Sequence, residues 1–304
     1  MARNTHKIGL SRGDIVYKWV VYAVLALLTL IVAYPLYFVV IASFSDPTMV
    51  TTGKVVLLPH GITFGGYKTT LEYGDIWVGY RNTIIYTVLG TLLALVVTIP
   101  AAYSLSRKDL AGKKLYVLFF TISMFFGGGL VPTYMTIKGY GLLNTPHLMI
   151  ILGCISVYNM IVCRTFFQTN IPDEMLEAAR IDGCGNFRFF TSIVLPLSKA
   201  IIAVMIIYYA SGKWNSYFSA MIYLTNRNLV PLQLVLKELL TAQATIMQEM
   251  ANGFSAGDEM DELIKTVEAI KYCVVIVSSV PMLCAYPFAQ RYFMQGVMMG
   301  AIKG

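Results

Sequence analysis

The sequence predicts an all-α integral membrane protein of six transmembrane helices, with a cytoplasmic helix between the fourth and fifth. Three observations predict it. Of 304 residues, 57% are hydrophobic and only 13% charged, with a mean hydropathy of +0.66, whereas a soluble domain is about one-quarter charged. The charges gather between apolar runs, each close to the ~20 residues that a helix needs to cross hydrocarbon. The lysines and arginines fall in particular loops, the signature of membrane orientation, so the net charge of +7 implies no nucleic-acid partner. Cys154, Cys163, Cys184, Cys273 and Cys284 include no close pair and read as small buried hydrophobes. His6, His60 and His147 have no partner at ligand spacing, so neither metal nor cofactor is expected.

Residues 1–18 carry Arg3, Lys7, Arg12 and Lys18 against Asp14 and form a cytoplasmic tail. Trp19 to Phe44 is free of charge and makes the first span, kinked at Pro35. A cleaved signal peptide would have a core of only about 7 to 15 residues, so this segment reads as a retained anchor. Residues 45–80 form an outer loop with turn signals at Pro59, Gly61, Gly65 and Gly66. The second span runs from about Asn82 to Leu105. The loop after it, Arg107, Lys108, Lys113 and Lys114 against Asp109, is cytoplasmic by its basic charge.

The third span, about Leu115 to Ile137, holds Gly127, Gly128, Gly129 and Pro132. The triplet either admits a neighbouring helix closely, which is the expectation, or breaks the helix where backbone lines a cavity. The fourth span, about Thr145 to Phe167, carries Tyr158 and Asn159 in its middle and Arg164 as an interfacial anchor at its inner end. The fifth, about Ala200 to Leu224, is interrupted by Ser211, Gly212, Lys213, Trp214 and Asn215. These lie roughly 18 to 24 Å beyond Lys199, in the outer half of the bilayer. Polar groups there must face other helices or water, which makes Trp214 and Asn215, with Tyr158 and Asn159, the candidate substrate pathway. Equally weighted is a structural alternative, with Trp214 in the interfacial belt and Lys213 snorkelling outward.

Residues 225–271 make a long outer loop. Asp258, Glu259, Asp261 and Glu262 read as a solvated acidic face, and Met260 to Lys271 has helical periodicity. Tyr272 to Gln290 is the sixth span, with Pro281 and Pro287. The membrane domain therefore covers 19–292, and 293–304 is a cytoplasmic tail, so both termini are inside.

Between the fourth and fifth spans lies a polar island, 172–197. Glu174, Glu177, Arg180 and Asp182 alternate with Met175, Leu176, Ala178, Ala179 and Ile181 in a pattern that puts carboxylates on one helix face and small apolar groups on the other. Gly183 and Gly185 follow where a helix ending in a left-handed turn wants no side chain. The chain then runs through Phe187, Phe189 and Phe190 to Ile193, Leu195 and Pro196.

Glu177, Ala178, Ala179, Asp182, Gly183, Ile193, Leu195 and Pro196 stand where the EAA loop of binding-protein-dependent ABC importer permeases has its pattern, and this chain closely resembles that family, with Cys184 as the one departure. The stretch GGGLVPTYMTIKGYGLLNT, the Pro231-Leu232-Gln233 signature and the tail RYFMQGVMMGAIKG resemble its carbohydrate branch, in particular the subgroup for complex oligosaccharides. The resemblance implies a type I permease fold and a bacterial cell membrane. It makes Glu174, Glu177, Ala178, Ala179, Arg180, Asp182 and Gly183 a coupling helix seated in a cytoplasmic ATPase, with Gly300 and Lys303 reaching toward the ATPase dimer. It implies as partners two ATPase subunits that bind ATP and Mg, a homologous second permease as heterodimer, an extracellular solute-binding protein touching the outer loop, and an oligosaccharide cargo.

The chain carries no P-loop. Gly212-Lys213 is followed by Trp214 and preceded by Ile207 where glycine is required, and Gly112-Lys113 and Gly53-Lys54 fail similarly. HExxH is absent too, so the chain is read as no enzyme and a catalytic pairing of Glu177 with Asp182 is discounted. An ion-coupled secondary transporter is the alternative. It predicts acids within the membrane, and none of the six predicted spans contains Asp or Glu.

Overall fold

The computed structural model describes residues 11–251, 270–284, 286 and 287. Its elements are helices α1 (Arg12–Ser43), α2 (Pro47–Thr51), α3 (Gly65–Glu72), α4 (Gly74–Ser106), α5 (Lys113–Phe125), α6 (Leu130–Gly139), α7 (Pro146–Ile151), α8 (Val157–Asn170) and α9 (Asp173–Ile181). α10 (Asn186–Phe189) continues through a π-helical stretch, Phe190–Val194, into α11 (Leu195–Leu197). There follow α12 (Lys199–Trp214), α13 (Tyr217–Tyr223), a 3-10 turn Arg227–Leu229, α14 (Leu232–Ala251) and α15 (Ile270–Cys284). The chain divides into two units, residues 1–70 with 246–276 and residues 71–245 with 277–304.

In the first unit, Ser11 opens α1 through a capping box. The Asp14 amide donates to the serine hydroxyl at 3.2 Å, and the Ser11 amide donates to the Asp14 carboxylate at 2.9 Å. That explains the single acid before an uncharged run. α1 is apolar all round and exposed along most of its length, as a helix whose solvent is lipid should be. The Tyr34 and Tyr37 hydroxyls donate to the carbonyls of Val56 and Leu57. The Asp46 amide donates to the His60 carbonyl, so the loop folds back on the end of α1. Cys273 is buried, its thiol against the Ser43 carbonyl.

In the second unit, α4 is the central helix and packs against α7, α8 and α12. Its buried residues include Gly79, Thr83, Gly90, Ala94, Thr98 and Ala102, a face of small side chains that brings neighbours close. Near the cytoplasmic end predicted above, Ile99, Ala102, Tyr103 and Leu105 join Met160, Cys163, Phe167, Phe189, Val194 and Met205 in one buried cluster.

The spans depart from six straight helices. Among the described residues, α1 and α4 are long and apolar enough to cross a membrane, standing where the first and second spans were expected. α5 with α6 (bent 112°), and the Asn186–Leu197 segment with α12 (bent 79°), qualify only if each pair counts as one broken span. The fourth segment is divided into α7 and α8, because Gly153 takes a φ of +75° that a helix cannot contain. The fifth stops at Trp214 and resumes at Tyr217. α15 is a shorter apolar helix in the sixth segment, whose end beyond residue 287 lies outside the described residues, as does most of Met260 to Lys271.

One expectation is corrected. Gly127 to Gly129 does not serve close packing among the described residues. No atom lies within 4 Å of a Cβ built on Gly127 or Gly128, and the triplet instead opens the helix between α5 and α6. Arg164 binds within the chain: its Nε donates to the Leu105 carbonyl at 3.1 Å, at the open end of α4. Within the expected outer loop, residues 232–251 form α14, and Leu232 is fully buried.

That burial explains Gly79. A Cβ there would lie 2.9 Å from the Leu232 Cα and 3.0 Å from its amide nitrogen, backbone atoms with nowhere to go. Gly79→Ala is therefore predicted to destabilise the folded chain by about 1–3 kcal/mol through overpacking. Gly127→Ala, which meets nothing, should leave the thermal unfolding midpoint in detergent unchanged, and equal midpoints for the two variants would refute the account.

Candidate functional site

Two sites sit at opposite ends of the second unit's predicted path, an exposed helix and a polar cavity. The helix is α9. It starts at Pro172 with Asp173 and Glu174 in its first turn and Arg180 in its last, the charge order that the helix dipole favours. Met175, Leu176 and Ala179, one helix face, pack on the core cluster, and Ala179 is buried. Its end is a Schellman motif. Gly183 has a φ of +74°, its amide donates to the Arg180 carbonyl at 3.0 Å, and the Cys184 amide donates to the Ala179 carbonyl at 2.8 Å. Cys184 packs against the same cluster as Ala179, so a small apolar residue suits that place.

Glu174, Glu177, Ala178, Arg180, Asp182 and Gly183 are all exposed, and with them Ile181, 87% accessible, and Phe187. The exposed side of α9 thus combines charged groups with bare apolar ones. Ion pairs hold the helix to the loop after α4. Lys108 meets Asp173 at 2.6 Å, and Asp109 receives both Arg107 at 2.5 Å and Arg180 at 2.8 Å. The Arg107 guanidinium, then that of Arg180, holds the Asp109 carboxyl well below its usual range. A cleft of about 230 Å³ between Tyr103, Arg107, Gln168, Asp173 and Glu174 undercuts the helix. The sequence marked the basic loop as cytoplasmic but not as the strut of α9; the opposed charges of Asp109 and Arg180 were the available signal.

The cavity, about 440 Å³, opens where two interrupted segments meet, α7–α8 and α12–α13. Ser156, Asn159, Tyr208, Tyr209, Lys213, Asn215, Ser216 and Ser219 give it its polar groups, with no carboxylate in its lining among the described residues. Tyr209 ties its floor together: its hydroxyl pairs with that of Thr98 at 2.7 Å and accepts from the Ser156 amide at 3.4 Å. Asn159 and Asn215 are thus brought to one cavity. Trp214 is buried at 6% accessibility outside the lining, and Tyr158 points away, 56% exposed. Lys213 does not snorkel outward. It is 7% accessible, and its Nζ donates to the carbonyls of Met149, Ile150 and Leu152.

Elsewhere, Pro231-Leu232-Gln233 is seated on α4. The Leu232 amide donates to the Thr83 hydroxyl at 2.8 Å, and Asn82 donates to the carbonyls of Asn228 and Val230. Arg227 bridges Asp75 and Glu238 beside it. Gly300, Lys303 and the acidic run at 258–262 lie outside the described residues. Among the described residues no group of three His, Cys, Asp or Glu could hold a metal.

Residues 75–297 match the family described as binding-protein-dependent transport system inner membrane component. The chain is 32% identical over 95% of its length to the polygalacturonan/rhamnogalacturonan transport system permease protein YtcP of Bacillus subtilis (strain 168), covering 98% of it. It is 33% identical to protein LplC of the same organism, over 89% of each chain. Among solved structures it superposes with a TM-score of 0.83, at 29% identity, on a chain of a bacterial ABC transporter involved in the import of the acidic polysaccharide alginate, over 93% of this chain and 98% of that one.

The carboxylate at Asp109 gives a pH prediction. Its folded-state pKa is depressed, so its support of α9 is complete above the ordinary value of 3.8 and is lost as pH falls below it. Asp109→Asn should raise hydrogen exchange in α9 several-fold at neutral pH, relative to intrinsic rates. Wild type should converge on the variant in acid, and identical α9 protection at neutral pH would contradict the assignment.

Proposed function

This chain belongs to the family of binding-protein-dependent transport system inner membrane components, as a permease subunit of a sugar-importing ABC transporter, and from that premise we propose how its two sites work together. α9 is the coupling helix: its exposed rim of Glu174, Glu177, Arg180 and Asp182 around Ala178 and Ile181 seats in a cleft of a cytoplasmic ATPase subunit. The observation that carries this is the Schellman-terminated helix whose core-facing side is fixed while its other side is bare. Because Met175, Leu176 and Ala179 are packed into the cluster that also holds α4, α8 and α12, force on α9 moves the bundle rather than the helix alone.

The chain crosses a bacterial cell membrane six times with both termini cytoplasmic, the broken segments counting as spans. ATP and Mg bind on two partner ATPases, and Gly300 and Lys303 in the tail reach toward them. One chain offers one coupling helix and an ATPase dimer offers two clefts, so a second, homologous permease completes the assembly as a heterodimer. A solute-binding protein delivers cargo to the outer loops; closure of the ATPases on ATP turns the bundle outward to receive it, and hydrolysis returns it inward.

The cargo is an oligosaccharide, and an acidic one is the favoured class. Relatives are named for polygalacturonan and rhamnogalacturonan transport and for alginate import. Hydroxyls, amides and two tyrosines in the cavity suit sugar rings, and a lining without carboxylates repels no acidic sugar. Asn159 and Asn215 are the side chains through which the pathway reads the cargo, with Trp214 and Tyr158 supporting the surrounding helices. Similarity to ABC permeases leaves the ion-coupled alternative without support.

Two outcomes test this. Glu177→Lys and Gly183→Pro should insert normally yet abolish saccharide-stimulated ATP hydrolysis in the reconstituted complex, and undiminished coupling would remove the docking role from α9. Acidic oligosaccharides with the binding protein should raise hydrolysis several-fold over neutral ones of equal length; a reversed order would overturn the cargo class.

A further inference from the structure

Lys213 presents a problem that the transport reading does not use. A cation inside a membrane segment is costly, and this one has turned away from any water-exposed end to become 7% accessible. No carboxylate pairs with it among the described ion pairs. Its three acceptors are carbonyls, at 2.9 Å (Met149), 2.8 Å (Ile150) and 2.6 Å (Leu152). An ammonium has three donors, so all of them are used.

Those carbonyls are the ones the end of α7 leaves open. The Leu148 carbonyl receives the Leu152 amide and the Ile151 carbonyl receives the Cys154 amide, while the turn at Gly153 carries the chain away before Met149, Ile150 and Leu152 find a donor. The C-terminal end of a helix is also its negative end. The opposite wall is cut to fit the lysine stem: a Cβ on Gly90 would stand 2.7 Å from the Lys213 Cε and 3.0 Å from its Cδ. α4, α7 and α12 thus meet at one side chain, and that side chain lines the cavity.

We propose that the Lys213 ammonium is a tethered cation filling a three-carbonyl cage, which fixes the α7–α8 break against α12 and so sets the shape of the cargo cavity. Unwound backbone carbonyls inside a membrane otherwise attract free metal cations. Here the occupant is carried by the chain. Lys213 is a positioning residue: its donors are spent on the cage and none is left for cargo. Only the transport arm of the test rests on the sugar reading.

Lys213→Ala removes three carbons and the ammonium, which propylammonium returns and propanol mimics without charge. In the complete complex, saccharide-stimulated hydrolysis should fall by about tenfold or more, since open buried carbonyls are costly. Millimolar propylammonium should restore it several-fold, saturably, where propanol does not. The thermal midpoint of the complex in detergent should fall and recover in the same pattern, a readout independent of cargo. Equal rescue by propanol, absence of any response to propylammonium, or a Lys213→Ala complex indistinguishable from wild type would overturn the cage. Should Lys213→Ala fail to assemble, Gly90→Ala decides with the lysine in place: it should lower the midpoint without propylammonium rescue, and a wild-type midpoint would overturn the proposal. A wild-type complex that no saccharide stimulates would refute the sugar reading while leaving the thermal arm to decide the cage.

Discussion

A backbone carbonyl inside hydrocarbon has no water to bond, so every interruption of a membrane helix must be met by a donor from elsewhere in the chain. The break after α7 shows this constraint, since Lys213 answers its open carbonyls. Side chains also meet backbone carbonyls where other elements end: Arg164 at the end of α4, Asn82 at Asn228 and Val230, and Tyr86 at Leu229. In each case the donor is a long or amide side chain from a different helix. The breaks are therefore cross-links, and the unit is held together at the places where its helices stop.

The same constraint places the cavity. Polar groups inside a membrane gather where backbone is already irregular, because there the surroundings are no longer purely apolar. The gap between α7 and α8 faces the gap between α12 and α13, and Ser156, Asn159, Asn215 and Ser216 stand around the joint. The small face of α4 allows this. Gly90 leaves room for the lysine stem, and Thr98 supplies the hydroxyl that Tyr209 needs.

α9 is packed on one side and bare on the other. Its fixed side is continuous with the core and its free side combines exposed Ile181 and Phe187 with charges already braced by Asp109 and Lys108. Bracing matters because a helix of nine residues has little stability of its own. The ion pairs of Asp173 and Arg180 hold it at both ends.

Much of this was legible in the amino-acid order. Charge-free runs long enough to cross a bilayer fix α1 and α4, and alternating carboxylates and small apolar groups followed by glycine fix α9 and its left-handed stop, because these are local properties of consecutive residues. The interruption at Ser211 to Asn215 was also visible as polarity out of place. What only the tertiary structure decided is direction: that Lys213 turns inward and Tyr158 outward, that Gly127 to Gly129 opens a helix instead of admitting one, and that Leu232 is buried. The direction of a side chain depends on who stands opposite, and Gly90, Met149 and Lys213 are far apart in the chain. Their meeting is set by the packing of α4, α7 and α12, which no single stretch of sequence contains.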